Sequence, residues 1–214
     1  MSTHAARAAR KGAVREAKRG LILDAALRVF EADGLEGASM RAIGDAAGYT
    51  AAAIYFHFPS KEAIYAALID RSLDRLVAKV EGEGPAAHPR GQLQAAALAF
   101  YDFYAENPRD LDLGFYLFRG GMRPRGLSPE TDAALNAKLA RALAPITHAA
   151  RNLGARSRAA QAITADIFAH AAGLLLLHHT ARIRMFATDP RKLMQAHVAR
   201  IVESLEDRQP EKRR

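Results

Sequence analysis

The sequence predicts an all-α protein, and three observations carry that reading. Apolar residues recur at helical spacing, as with Ile22, Ala25, Ala26, Val29 and Phe30 in the stretch 21–33. Glycines, prolines and capping residues fall where such stretches begin and end. Strand-like alternation, internal repeats and a P-loop motif are absent from the sequence.

The elements follow in order. Gly34 stops the first helix. Ser39 is a good N-cap for a short second helix, "MRAIGDAA" (40–47), whose Met40 and Ile43 face inward and which Gly48 ends. Thr50 caps a third helix, and Pro59-Ser60 breaks the chain before a fourth that runs to about Val80. The stretch "EGEGPAAHPRG" (81–91) reads as a Gly/Pro-rich hinge. Beyond it, helices are expected over about 89–106, 109–119, 129–153 and 156–186, with a last one after Asp189-Pro190. This gives a flexible basic arm over 1–19, a small domain over 20–66, a larger helical domain over 67–208 and a charged tail over 209–214.

Half of the 214 residues are hydrophobic, enough to bury a sizeable core, and there is no cysteine. Disulfides and thiolate metal sites are therefore excluded. The N-terminal twenty residues lack the apolar run of a signal peptide, and the most apolar run, 167–177, is too short to span a bilayer. A soluble, cytoplasmic protein without a membrane partner is expected. The formal charge is +8, and residues 1–20 hold +5 of it: Arg7, Arg10, Lys11, Arg15, Lys18 and Arg19 against Glu16. Such an arm suits DNA phosphates or an A·T-rich minor groove, and equally a solubilising tail.

The second and third helices are separated by little more than Gly48, which is helix-turn-helix spacing. Ala53, Ile54 and Phe58 can pack inward against Ile43 and Phe30. Thr50, Ala51, Ala52, Tyr55 and Phe56 are left outside. An alanine-faced helix can approach base edges closely and touch thymine methyl groups.

The stretch "GLEGASMRAIGDAAGYTAAAIYFHFPSKEAIYAAL" resembles the DNA-binding domain of the TetR family of transcriptional regulators. The resemblance covers residues 20–70 and is most specific in Ile-Tyr-x-His-Phe-Pro-Ser-Lys-Glu. It implies a three-helix helix-turn-helix domain joined to a larger helical domain for ligand binding and dimerisation. Carried over by position, Tyr55, His57 and Lys61 would touch the DNA backbone, with Ser39 similarly placed at the start of the second helix. Arg41 would reach a guanine, whose O6 and N7 a guanidinium can bond together. Each has a plainer role too: Tyr55 as core cover, His57 as a helix-end residue, Arg41 and Lys61 as solvated surface. The run Ala51 to Ala53 lacks the polar or longer side chain that relatives often carry there.

The resemblance also implies a homodimer through the last two helices, a palindromic operator in double-stranded DNA and a small-molecule effector, most often releasing a repressor. Phe100, Phe103 and Tyr104 share a face, with Tyr101 beside them and Phe115, Tyr116 and Phe118 on the next helix. These could line a largely apolar pocket, together with Met122, Leu174 and His170, or simply form an aromatic core. His170 follows Asp166 by four residues and could pair with it, while Arg119, Arg123 and Arg125 suit an anionic acyl or CoA group. His178 and His179 point about 100° apart on a helix, a poor chelate, so no metal and no cofactor are expected. No nucleophile elbow or Ser-His-Asp set marks an enzyme. A DNA-binding structural protein without ligand control remains the nearest alternative, with a helical enzyme and a membrane-surface protein further off.

Overall fold

A computed structural model describes residues 3–82, 88–114 and 127–207 of the chain. Among them lie nine α-helices and no strand: α1 (Thr3–Gly37), α2 (Met40–Ala47), α3 (Ala51–Tyr55), α4 (Lys61–Gly82), α5 (Pro89–Glu106), α6 (Pro108–Gly114), α7 (Pro129–Asn152), α8 (Ser157–His179) and α9 (Pro190–Asp207). The described residues fall into two compact units. One holds 3–71 with 112–114 and 127–133, the other 72–111 with 134–207.

Two elements differ from the sequence-based expectation. Residues 3–19 are not a separate arm but helical, continuous with the buried part of α1. Their alanine, arginine and lysine content favours helix even without burial. The helix expected over 156–186 ends at His179. Ala181 then turns into the left-handed region (φ 57°), and a 3-10 turn spans Arg182–Phe186. The Thr180 hydroxyl donates back to the Leu176 carbonyl at 2.6 Å, closing the last turn. Ile183 is then buried, although Met185 and Phe186 stay exposed.

In the first unit the apolar stripe of α1 does what its spacing predicts. Ile22, Ala25, Ala26 and Phe30 are buried together with Ile43, Ile54, Phe58, Ile64, Tyr65 and Leu68, while Val29 is only half-buried. The Phe30 and Tyr65 rings meet edge to face with centroids 5.6 Å apart. Gly34 takes φ 72° and breaks α1, and Gly48 takes φ 72° after α2. The Gly48 and Tyr49 amides bond the Asp45 and Gly44 carbonyls, closing α2. A Cβ on Gly44 would stand 2.8 Å from the Tyr49 carbonyl oxygen and 3.3 Å from the Ala51 amide nitrogen. The α2 backbone therefore lies directly against the start of α3.

The second unit is built on mutual packing of α5, α8 and α9. Leu93, Ala97, Phe100, Ala171, Leu175, Met194, Val198 and Val202 are all buried in it. By length and composition α8 is long and apolar enough to cross a membrane, and about a third of its most apolar stretch is buried; its buried Thr164 is hydrogen-bonded. Thr164 donates to Ala160 at 2.9 Å and meets Thr147 of α7 at 2.7 Å. Asp110, also buried, is paired with Arg75. Asp189 caps α9 by accepting from the Arg191 and Lys192 amides, and Arg191 grips Asp102 of α5 with two bonds of 2.8 Å.

The expected Asp166–His170 pair is corrected. Asp166 Oδ2 lies 3.2 Å from His197 Nε2 of α9, and the His170 ring stacks on His197 with centroids 3.9 Å apart. Side chains four apart on a helix can meet, but the α9 imidazole takes the carboxylate first. Burial, and next the neighbouring His197, push the His170 pKa below its usual value, with Arg200 adding to this; Asp166 and the Leu193 backbone oppose it.

Two outcomes test these contacts. Gly44→Ala should lower unfolding stability by about 1–3 kcal/mol through overpacking, whereas Gly20→Ala, with open space around it, should stabilise α1 by up to about 1 kcal/mol; denaturant titration reads both. A depressed histidine pKa supplies stability that is present above the ordinary value and lost as pH falls through the lower folded value. The melting temperature should therefore drop on acidification below about pH 6.5, and His170→Gln should flatten that part of the pH profile.

Candidate nucleic-acid interface

The side chains that could meet DNA sit at the starts of two short helices, and capping fixes both. Ser39 is extended (φ −133°, ψ 155°), and its Oγ accepts from the Ala42 amide at 3.1 Å. Thr50 does the same for Ala53 at 3.2 Å. These bonds satisfy amides that a helix start leaves open and set where each helix begins. Because Gly44 allows backbone contact, α2 and α3 hold a fixed crossing.

That crossing leaves a defined exposed set. Ser39, Arg41, Thr50, Ala52 and Tyr55 are exposed, while Ala51 and His57 are half-buried. Ile54 and Phe58, between and beyond them, are wholly buried. Arg41 makes no hydrogen bond or ion pair among the described residues, so its guanidinium is available. Tyr55 is 55% exposed and does not cover the core. Phe56 is 74% exposed, a large aromatic ring next to the short helix.

Lys61 has a structural task. Its Nζ donates to the Glu36 and Ala38 carbonyls, both at 3.0 Å, tying the corner between α1 and α2 to the start of α4. Two of the three ammonium donors are thereby used. The Ser60 hydroxyl caps the same start by accepting from Ala63 at 3.2 Å. Arg28 similarly reaches the Ala46 carbonyl at the end of α2 at 3.4 Å.

His57 lies among cations that spacing alone did not place beside it. Arg19 Nη1 donates to the His57 carbonyl at 3.4 Å, and its guanidinium lies 4.1 Å from the Phe58 ring centroid. The Arg15 guanidinium stands 5.9 Å from the Phe56 centroid. Slight burial first, then Arg15, Lys18 and Arg19, hold the His57 pKa below its usual value. These causes favour the neutral imidazole. The signal that could have found Arg15 and Arg19 is the mostly helix-favouring composition of 5–19, interrupted only by Gly12 and Val14, which carries these residues on from the phase of Ile22.

The residues expected at an effector site lie in the second unit where they are described. Phe100, Tyr101, Phe103 and Tyr104 are buried, and ring pairs meet edge to face: Phe100–Tyr104 at 5.2 Å, Phe103–Tyr104 at 5.1 Å and Phe100–Phe168 at 5.6 Å. Burial, then Asp102, pushes the Tyr101 phenol up to about 12. Leu174 is buried on α8, and His170 is half-buried against α9. Phe115, Tyr116, Phe118, Met122 and the arginines 119, 123 and 125 lie outside the described residues. His179 Nε2 sits 3.0 Å from the Tyr104 carbonyl, and the described residues contain no cluster of metal-binding side chains.

Residues 22–68 match the family model described as "Bacterial regulatory proteins, tetR family". Over 102 residues the chain is 36% identical to the HTH-type transcriptional activator FasR of Mycolicibacterium smegmatis, a match spanning 47% of each chain. The chain thus spans about half the length of this curated relative. The TetR family transcriptional regulator PfmR from Thermus thermophilus superposes with a TM-score of 0.60 at 25% identity, over 85% of this chain and 93% of its own. The transcriptional regulator FadR from Bacillus subtilis, solved with stearoyl-CoA, shares the fold at a TM-score of 0.61 and 16% identity, over 86% and 96%.

The Lys61 clamp predicts a stability effect independent of DNA. Lys61→Met should lower the unfolding free energy of the free protein by about 1–2 kcal/mol, the worth of charge-assisted bonds at a partly exposed site. An unchanged denaturation midpoint would remove the clamp.

Proposed function

Residues 22–68 make this chain a member of the tetR family of bacterial regulatory proteins, and we propose that it is a sequence-specific, DNA-binding transcriptional regulator working as a homodimer on a palindromic operator. The observation that carries this reading is the outward edge of two capped, backbone-to-backbone helices: exposed Arg41 on α2, the exposed cap Thr50, and half-buried Ala51 and exposed Ala52 on α3. In this reading α3 enters the major groove. Ala51 and Ala52 keep the approach short and meet thymine methyls, while Arg41 bonds guanine O6 and N7. Ser39, Thr50, Tyr55 and His57 hold backbone phosphates, and Lys61 adds charge from the start of α4. A phosphate beside His57 would favour its protonated form.

Dimerisation runs through α8 and α9. Ala162, Ala165, Ala169, Gly173 and Leu176 of α8 are exposed in the single chain, as are Leu193 and Ala196 of α9. A two-fold pairing of these faces buries small residues that permit close helix approach. Two heads about 34–36 Å apart then read an inverted repeat.

The second unit binds a small, largely apolar effector near the α5 aromatic cluster of Phe100, Tyr101, Phe103 and Tyr104. The stearoyl-CoA held by FadR supports an acyl chain as the kind of ligand. The effector acts by binding the DNA-free arrangement better, and couplings of this kind are worth about 5–150-fold in affinity. Release of this sort makes the protein a repressor, working in the cytoplasm without catalysis, although FasR is named an activator.

Selection of bound duplexes from a random library, with the wild type and Arg41→Ala in parallel, tests the reading. The expected result is an inverted repeat whose variant form changes at one symmetric base pair, with about 1–3 kcal/mol of discrimination lost there. The same repeat from both proteins removes Arg41 from base readout. No enrichment from either leaves a structural DNA-binding protein.

A further inference from the structure

Residues 5–18 are exposed on every side, yet they are helical. At 100° per residue, Arg7, Arg10, Lys11, Arg15, Lys18 and Arg19 fall within roughly half the circumference of α1. Glu16, the one carboxylate of residues 1–20, lies on the opposite half with Ala5, Ala9 and Gly12. Arg7, Lys11, Arg15 and Arg19 succeed one another at i, i+4 spacing, where like charges repel. None of the six forms an ion pair among the described residues. The stripe therefore persists at an electrostatic cost that an anionic partner would relieve.

Its position is fixed by contacts within the first unit. Arg15 lies over Phe56, and Arg19 lies over Phe58 and bonds the His57 carbonyl. Together with Lys18 these cations act on His57 electrostatically. The stripe thus starts at the C-terminal end of α3, beside the exposed Tyr55 and Phe56, and runs away from it along α1. This joins a charged face to the candidate reading head without a gap.

We propose that the basic face of residues 7–19 is a second DNA-binding surface, a rigid rail for phosphates flanking the half-site that α2 and α3 read. This rests on the DNA-binding reading above and assigns it a further element. The helical state decides which part of the duplex is met. An α-helix with its side chains is about 10–12 Å across, whereas the minor groove is about 6 Å wide. The segment cannot enter that groove as an extended arm would, so it lies against the sugar-phosphate ridge. From Arg7 to Lys18 the helix rises about 16 Å, long enough to meet several neighbouring phosphates. Contacts of this kind add affinity and extend the footprint without adding base preference.

The test compares the full-length wild type with Arg7→Ala/Arg10→Ala/Lys11→Ala. Alanine keeps the helix, and none of the three residues contacts the α3 end. Binding is measured by fluorescence anisotropy between about 50 and 200 mM salt. The duplexes carry the selected repeat, either trimmed to its ends or flanked by one further helical turn of random sequence. On the flanked duplex the triple variant should show a salt slope shallower by about 0.9 for each phosphate it no longer neutralises. Its affinity at low salt should fall at least several-fold, with the same repeat selected, and the trimmed duplex should shrink the difference between the proteins. Circular dichroism should show equal helix content.

Equal slopes and affinities on the flanked duplex would overturn the rail and return the segment to solvent. A flanking A·T preference that the variant loses would also overturn it, in favour of minor-groove insertion. Failure of the head itself reads differently. If no repeat is enriched, the same slopes on a random-sequence duplex still report whether the stripe binds phosphates.

Discussion

The backbone contact at Gly44 is the constraint on which the reading head depends. With hydrogen in place of a side chain, α2 lies against the turn between Tyr49 and Ala51. A five-residue helix such as α3 has no stability of its own, because nucleation is unfavourable and few bonds follow it. It persists here because Thr50 caps its start, Ile54 is buried and α2 stands behind it. The register between Arg41 and the Thr50–Ala52 edge is therefore set by main chain rather than by adjustable side chains.

Much of the positive charge around that head also serves the fold. Lys61, Arg28 and Arg19 each donate to main-chain carbonyls at a corner or a helix end. Helix C-terminal carbonyls are unsatisfied and carry partial negative charge, so cations are favoured there. The same placement raises the local positive potential on the surface proposed to meet DNA. Arg19 does both, bonding the His57 carbonyl and, with Arg15 and Lys18, adding to the burial that lowers the His57 pKa.

The second unit solves a different problem. Its central helix α8 is apolar around most of its circumference, so a single partner face cannot cover it. Helices α5 and α9 cover one side, and in the interior Thr164 meets Thr147 and Asp110 pairs with Arg75. The Nε2 atoms of His170 and His197, by contrast, are buried without a hydrogen-bond partner among the described residues, His197 Nε2 lying 3.2 Å from Asp166 Oδ2. The opposite side of α8 keeps small residues outward.

The sequence by itself determined the helical class, the first-unit core and the caps. Periodicity and capping are local signals, carried by residues three or four apart, so Ile22, Phe30, Ser39, Gly48 and Thr50 declared their roles without neighbours. The exposed edge of α3 followed from the same phase. Tertiary structure decided what depends on residues distant in the chain. Lys61 resembled a phosphate ligand in sequence, and only folding brought the Glu36 and Ala38 carbonyls to it. Asp166 had His170 one turn away, but α9 delivered His197. Residues 3–19 carried charge that suggested an arm, and their helical continuity with α1 decided where that charge points. The long apolar run of α8 concealed its end, because a back-bonding threonine and a left-handed alanine produce no break in hydrophobic pattern. Short-range geometry is written in spacing, whereas pairing across helices depends on which surfaces the packed chain brings together.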